Sequence, residues 1–267
     1  MKNISRKTLI NIKNILIPIA IDAAKLIMKN KNSRTEIKDD GTPVTIADKK
    51  ADEFIYNNLK KNFSNIPILS EERKIPTSCY GKNLHWIIDP LDGTKSFIEN
   101  GEDFSVCISL VINQSPILGC ITHPPSLNTW TGGKIIGSEK HYKKNKKYIN
   151  CRNIPAAGPV ITISKHHVGP KLKKWLSNIN YSKTKQLGSA LKFCLLAEGK
   201  ADIFPRTSAT YEWDSAAGQA ILEGAGGKVI QMNNNPMIYG RLDKKNPNFI
   251  AFGKSNWKNY LKEKYID

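Results

Sequence analysis

Apolar positions along this chain recur at two periods, and the period changes wherever the predicted element changes. Near the N-terminus, Ile12, Ile15, Leu16, Ile19, Ala20, Ala23 and Ile27 are spaced by three or four, which predicts an amphipathic helix. Pro18 either kinks that helix or marks its start. The polar stretch 36–43, with Lys38-Asp39-Asp40-Gly41, reads as a loop. Thr45 with Asp48 three residues on has the form of a capping box, and Ala51, Phe54, Ile55, Leu59 and Phe63 give the second helix its apolar stripe. The pattern then turns to strands: a short one at 66–69, a buried one at 84–88, and a hairpin of 104–111 with 116–122 around Asn113-Gln114-Ser115. Residues 130–136 add another, and the lysine-rich stretch 143–147 reads as a solvated loop.

Pro and Gly cluster at 153–158, which predicts a division into 1–153 and 154–267. Beyond it, strand and helix alternate. Strands are predicted at 160–164, 201–204 and 228–231 and a short helix at 170–176. Ser189 is the expected cap of a helix carrying Leu191, Cys194 and Leu195. Asp214 is the expected cap of one whose small face is Ala217, Ala220, Ile221 and Gly224. Alternation of this kind argues for layered helices and sheets, an α/β fold class.

One stretch organises the rest: Leu84-His85-Trp86-Ile87-Ile88-Asp89-Pro90-Leu91-Asp92-Gly93-Thr94. Bulky and β-branched residues run into a stiff turn, where Pro90 removes a backbone donor. Two carboxylates on such a turn suit a shared hard cation, and the Gly93 and Thr94 amides suit an anion. Glu71 also follows an apolar strand, and Asp214 stands at a helix start. Carboxylates beyond strand ends converge on one crevice, and four of them make a site for two or more Mg²⁺ ions. Each also has a plain structural role open to it, as a solvated acid or a helix cap.

Composition narrows the setting. Lys plus Arg number 41 against 23 Asp plus Glu, a net charge of +18, which favours anionic partners. The same lysine richness spreads over the chain, so the charge by itself does not define a nucleic-acid-binding protein, and no zinc finger, RNP motif or Arg-rich arm is present. Five cysteines with no CxxC spacing argue against a disulfide framework and for a reducing compartment. No uncharged run is long enough to span a bilayer, so a cytoplasmic protein is expected. Peripheral association with an anionic inner membrane face, and a monomeric or dimeric state, stay open.

Trp86-Ile87-Ile88-Asp89-Pro90-Leu91-Asp92-Gly93-Thr94, with Ser70-Glu71-Glu72 upstream and Trp213-Asp214-Ser215-Ala216-Ala217-Gly218 downstream, resembles the inositol monophosphatase superfamily of Mg²⁺-dependent, lithium-sensitive phosphatases. The stretches 38–48 and 188–206 are similar to the 3′(2′),5′-bisphosphate nucleotidases of the bacterial CysQ type. The resemblance runs from the first helix to Val229. It implies a layered αβαβα sandwich and two or three Mg²⁺ ions held by Glu71, Asp89, Asp92, Asp214 and the Leu91 carbonyl. It implies phosphate contact by the Gly93 and Thr94 amides, and pairs Asp48 with the Thr94 hydroxyl to orient the attacking water. His167, Ser189, Lys192 and Arg206 would contact substrate, together with Asp214. The expected reaction is release of the 3′-phosphate from adenosine 3′,5′-bisphosphate, a by-product of sulfate activation. An inositol or sugar monophosphatase is the near alternative, and a nucleic-acid-binding scaffold the distant one. Ser164-Lys165-His166-His167 stands where Ser-Arg-Ser-His is usual, and Ala190 where a second Ser is usual, so the rank order of substrates stays open.

Overall fold

The computed structural model describes residues 4–31, 35–37, 43–81, 83–143, 145–165 and 168–262. The first helix, α1 (Arg6–Lys29), begins well before Pro18; its cap is Ser5, whose hydroxyl accepts from the Thr8 amide. Pro18 lies inside the helix, and the buried stripe of Leu9, Ile12, Leu16, Ile19, Ala23 and Ile27 runs unbroken past it. Where a loop was expected, β1 (Thr35–Ile37) and β2 (Pro43–Thr45) pair as an antiparallel ribbon. Residues 38–42 lie outside the described residues. α2 (Ile46–Asn62) starts from the expected capping box of Thr45 and Asp48.

The first sheet contains β3 (Ile68–Ser70), β4 (His85–Asp92), β5 (Ser105–Ile112), β6 (Ser115–His123), β7 (Asn128–Gly133), β8 (Gly137–Tyr142) and β9 (Asn145–Ile149), in that spatial order. Between β4 and β5 the chain makes one short helix, α3 (Thr94–Ile98). β3 and β4 are parallel and the other neighbours antiparallel. Residues 145–147 therefore do not lie in a loop: they belong to β9, an exposed edge strand, and residue 144 lies outside the described residues. Lysines hide a strand pattern at an edge, where they also discourage pairing with another chain.

The crossing to the second sheet falls between Ile149 and Val160. That sheet is built from β10 (Val160–Ser164), β11 (Lys183–Leu187), β12 (Ile203–Arg206), β13 (Lys228–Gln231) and β14 (Phe249–Phe252), ordered β11-β10-β12-β14-β13. Its helices are α4 (Pro170–Ser177), α5 (Leu191–Ala197) and α6 (Ala216–Gly224).

Three apolar clusters define the layers. α1 and α2 pack on one face of the first sheet, burying Leu16, Ile55, Trp86 and Ile108. α5 and α6 fill the space between the two sheets, with Phe193, Ile221, Trp130 and Phe249. Leu172 of α4 and Trp257 cover the outer face of the second sheet. The result is the expected αβαβα sandwich. Its middle layer requires close approach, because a Cβ at Gly119 would strike the Ala217 carbonyl of α6. All five cysteines are buried and free.

Candidate active site

The acidic side of the site is built at the end of β4. Pro90 cannot donate to the ladder, and the pairing of β4 with β5 slips between Asp89 and Asp92. That irregularity lets both carboxylates reach the same cleft. Asp89 is fully buried and its Oδ1 accepts the Leu91 amide at 3.0 Å. Gly93 then turns the chain into α3 with φ +97°, a conformation that favours glycine. A Cβ there would also sit 2.6 Å from the Asp103 carbonyl oxygen.

Asp214 comes from the other half of the chain. It is not the cap of α6, as expected; Ser215 holds that position. Asp214 instead closes a short 3₁₀ turn, and its Oδ2 accepts the Tyr211 amide at 2.7 Å. Asp89, Asp92 and Asp214 present oxygens within 4.8 Å of one another. Glu71, just beyond β3, lines the same cleft of about 330 Å³.

Crowding shows in the protonation energetics. Burial, then the charges of Glu71, Asp92 and Asp214, hold the Asp89 carboxyl well above the ordinary range. Burial and then Asp92 push Asp214 up to about 8. Asp92 is raised by burial but relieved by Lys192, by the Ala190 amide, and by Arg206 and Ser105. Clustered carboxylates, buried or half-buried and repelling one another, form with a neighbouring carbonyl the hard oxygen set that Mg²⁺ takes. The donor set therefore fits such an ion.

Asp48 divides its work between its two oxygens. Oδ2 accepts the Thr45 amide at 2.8 Å and the Thr45 hydroxyl at 2.5 Å, completing the cap of α2. Oδ1 faces the Thr94 hydroxyl at 3.2 Å. That hydroxyl also lies 3.0 Å from the Leu91 carbonyl, so its single proton has two acceptors. Burial raises the Asp48 carboxyl, while the Thr45 and Thr94 hydrogen bonds lower it.

The opposite side of the cleft carries the basic residues. Gly188 brings its loop against Asp103, where a Cβ would lie 2.7 Å from the same carbonyl oxygen that Gly93 approaches. Two glycines from the two halves thus close on one peptide. The Ala190 amide donates to the Asp92 carboxylate. Ser189 has φ +51°, and the helix cap is Ala190, not Ser189; the Ser189 hydroxyl still accepts the Leu191 amide at 3.3 Å. The left-handed backbone at Ser189 delays the helix start by one residue.

Lys192 lines the cleft but is buried, and its ammonium donates to the Leu187 carbonyl at 3.1 Å and the Ser189 carbonyl at 2.6 Å. Burial pulls its pKa down to about 8, against the pull of Asp92. Arg206 ends β12 and donates from Nη2 to the Ala209 carbonyl at 3.3 Å, while its buried Nε has no partner among the described residues. His167 lies outside the described residues.

Several lining residues had no distinct sequence signal. Asp103 and Thr210 face the cleft only because loops from distant positions meet there, while Lys95 follows Thr94 in the first turn of α3. Ser105 reaches toward Asp92 at 3.5 Å. Tyr211 and Trp213, also in the lining, stack with ring centroids 4.8 Å apart.

A layered sandwich whose acidic cleft adjoins an amide-bearing turn is the architecture of a metal-dependent phosphatase. The model of the inositol monophosphatase family matches residues 9–264, and the chain belongs to that family. It is 40% identical over 245 residues to the 3′(2′),5′-bisphosphate nucleotidase CysQ of Buchnera aphidicola, covering 90% of each protein. It is 36% identical to the protein of the same name from Escherichia coli K12, over 76% of this chain and 81% of that one. The crystal structure of CysQ from Bacteroides thetaiotaomicron superposes with a TM-score of 0.79 at 31% identity, covering 91% of this chain and 98% of that one. Among the described residues, no helix is long and apolar enough to cross a membrane.

Proposed function

We propose that this protein hydrolyses adenosine 3′,5′-bisphosphate to AMP and phosphate, as a Mg²⁺-dependent 3′(2′),5′-bisphosphate nucleotidase. The observation that carries the reading is 36–40% identity, over most of the chain, to relatives of that name. The acidic cleft of Asp89, Asp92 and Asp214, with Arg206 in the same lining, supports it.

Glu71, Asp89, Asp92, Asp214 and the Leu91 carbonyl would hold two or three Mg²⁺ ions. Bound there, Mg²⁺ lowers the pKa of water and neutralises phosphoryl charge. The remaining work falls to the chain. Asp48 accepts the Thr94 proton, leaving lone pairs on the Thr94 oxygen to receive a proton from the attacking water. Asp48 is suited to this because burial raises its carboxyl while three donors hold it in place. The Gly93 and Thr94 amides take phosphoryl oxygens. Ser189, Lys192, Arg206, His167 and Asp214 would meet the rest of the substrate, in a cytoplasmic setting; membrane association is no part of this reading.

One observation favours the monophosphatase alternative. Two of the three ammonium donors of Lys192 are spent on backbone carbonyls, which leaves Arg206 and the exposed Lys95 as the cations of the described lining for a second phosphate. The experiment is phosphate release from adenosine 3′,5′-bisphosphate, inositol 1-phosphate and fructose 1,6-bisphosphate, side by side with Mg²⁺. The nucleotide should be turned over most efficiently. Equal or faster hydrolysis of inositol 1-phosphate would replace this reading with the monophosphatase one.

A further inference from the structure

Helix α2 meets the site twice. Asp48, in its first turn, holds Thr94. Asp52, one turn on, is buried and points to the loop that leaves β3. Its Oδ1 accepts the Ser70 hydroxyl at 2.5 Å and its Oδ2 accepts Arg73 Nε at 2.5 Å. The Arg73 guanidinium in turn lies 3.9 Å from the ring centroid of Tyr56, one further turn along the same helix. The loop is tied internally as well: the Arg73 amide donates to the Ser70 carbonyl at 3.3 Å and the Glu72 amide to the Ser70 hydroxyl at 3.3 Å.

Between Ser70 and Arg73 stands Glu71. Its own amide donates to the Ile88 carbonyl at 3.3 Å, one residue before Asp89. Its backbone is therefore pinned to β4, and both flanks are pinned to α2 through a single carboxylate. Asp52 lies outside the cleft lining, so it has no direct part in the chemistry.

We propose that Asp52, Arg73 and Tyr56 form a positioning clamp that presents Glu71 to the cation site. The clamp works because a buried carboxylate facing both a hydroxyl and a guanidinium has one favourable geometry. Stacking on Tyr56 removes the freedom of the long Arg73 side chain. α2 thereby sets the distance between two parts of the site, Asp48 with Thr94 on one side and Glu71 on the other. Groups that orient a ligand typically change metal affinity by about 10- to 100-fold when removed. Since this clamp acts through the backbone, the lower end, about tenfold, is expected.

This inference rests on the metal-site reading above, and its test separates the two. Metal-free wild type and Arg73→Ala are titrated with Mg²⁺ by calorimetry, with thermal melting and phosphate release in parallel. Arg73 is about one-third exposed, so its truncation opens no core cavity, and Asp52 keeps the Ser70 hydroxyl; the melting curve reads the cost of leaving that carboxylate without its cation. Arg73→Ala should weaken Mg²⁺ binding about tenfold. Saturating Mg²⁺ should restore kcat, and KM for the nucleotide should stay unchanged. Asp52→Asn should weaken Mg²⁺ binding similarly, and the double variant should be no worse than either single one. Arg73→Lys, which keeps the charge but not the stacking fork, should recover only part of the affinity. Unchanged Mg²⁺ affinity in Arg73→Ala, whatever its melting temperature, overturns the clamp alone. Absence of Mg²⁺ binding by wild type overturns the metal-site reading and the clamp with it.

Discussion

The two walls of the cleft are built on opposite principles. The acidic wall is energetically incomplete: Asp89 is buried beside the half-buried Asp92 and Asp214, and burial, then neighbouring carboxylates, raise the pKa of Asp89 and of Asp214. Its side chains gain most when a cation arrives. The basic wall is partly tied down without a ligand, although the buried Nε of Arg206 has no partner among the described residues. Lys192 is tied to the Leu187 and Ser189 carbonyls, and Arg206 to the Ala209 carbonyl. The Lys192 ammonium holds the Gly188 loop through its two carbonyls, and the Ala190 amide ties the same loop to Asp92. A wall of crowded like charge announces its ligand; a wall whose lysine is tied to its own backbone conceals it.

The largest effect should come from removing the cation the acidic wall requires. With chelator present, activity should fall to background in a phosphate-release assay and return on adding Mg²⁺; full turnover in chelator would mean the acidic wall is complete by itself. Next comes the pair that faces the cleft from α2. Asp48→Asn keeps a capping side chain but loses the anionic acceptor for Thr94, and turnover should drop by about two orders of magnitude or more. Thr94→Ala should match it, with the double variant little worse, because the two act as a unit.

The basic wall should respond more weakly and unevenly. Losing one charge-assisted contact costs about 1.5–3 kcal/mol, roughly tenfold to a hundredfold in affinity. Arg206→Ala should raise KM for adenosine 3′,5′-bisphosphate by about that factor and leave a single-phosphate substrate nearly unaffected. Lys192→Ala removes the tie of the Gly188 loop, so it should impair mono- and bisphosphate hydrolysis together and lower the melting temperature. If Lys192→Ala is selective instead, its ammonium leaves the carbonyls for the substrate, and the contrast between the walls is lost.

The smallest expected effect is on stability. Asp89 and Asp214 have folded-state pKa values raised above the unfolded value, Asp214 to about 8. The folded metal-free protein therefore binds more protons than the unfolded chain between about pH 4 and pH 8, and unfolding free energy falls as pH rises through that window. The metal-free melting temperature should drop by a few degrees from pH 5 to pH 8, and Mg²⁺ should raise it more at pH 8. A flat profile would show that the acidic wall carries no such penalty.

The sequence by itself determined the acidic wall and most of the layers. Asp89-Pro90-Leu91-Asp92-Gly93 is legible because proline and glycine impose local backbone geometry that few other residues tolerate. The helices α1 and α2 and the strands β4 to β6 were readable because each buries one face or runs through the core, so its apolar period survives. β9 and β11 were not readable, because exposed edge strands carry lysines in place of alternation. Tertiary structure alone decided that Ser189 and Asp214 do not cap their helices, that Lys192 spends its charge on backbone carbonyls, and that Asp103 meets both glycine turns. Those facts depend on which groups meet after folding: a side chain's partners are set by packing between residues far apart in sequence, while its backbone preferences are set by its nearest neighbours.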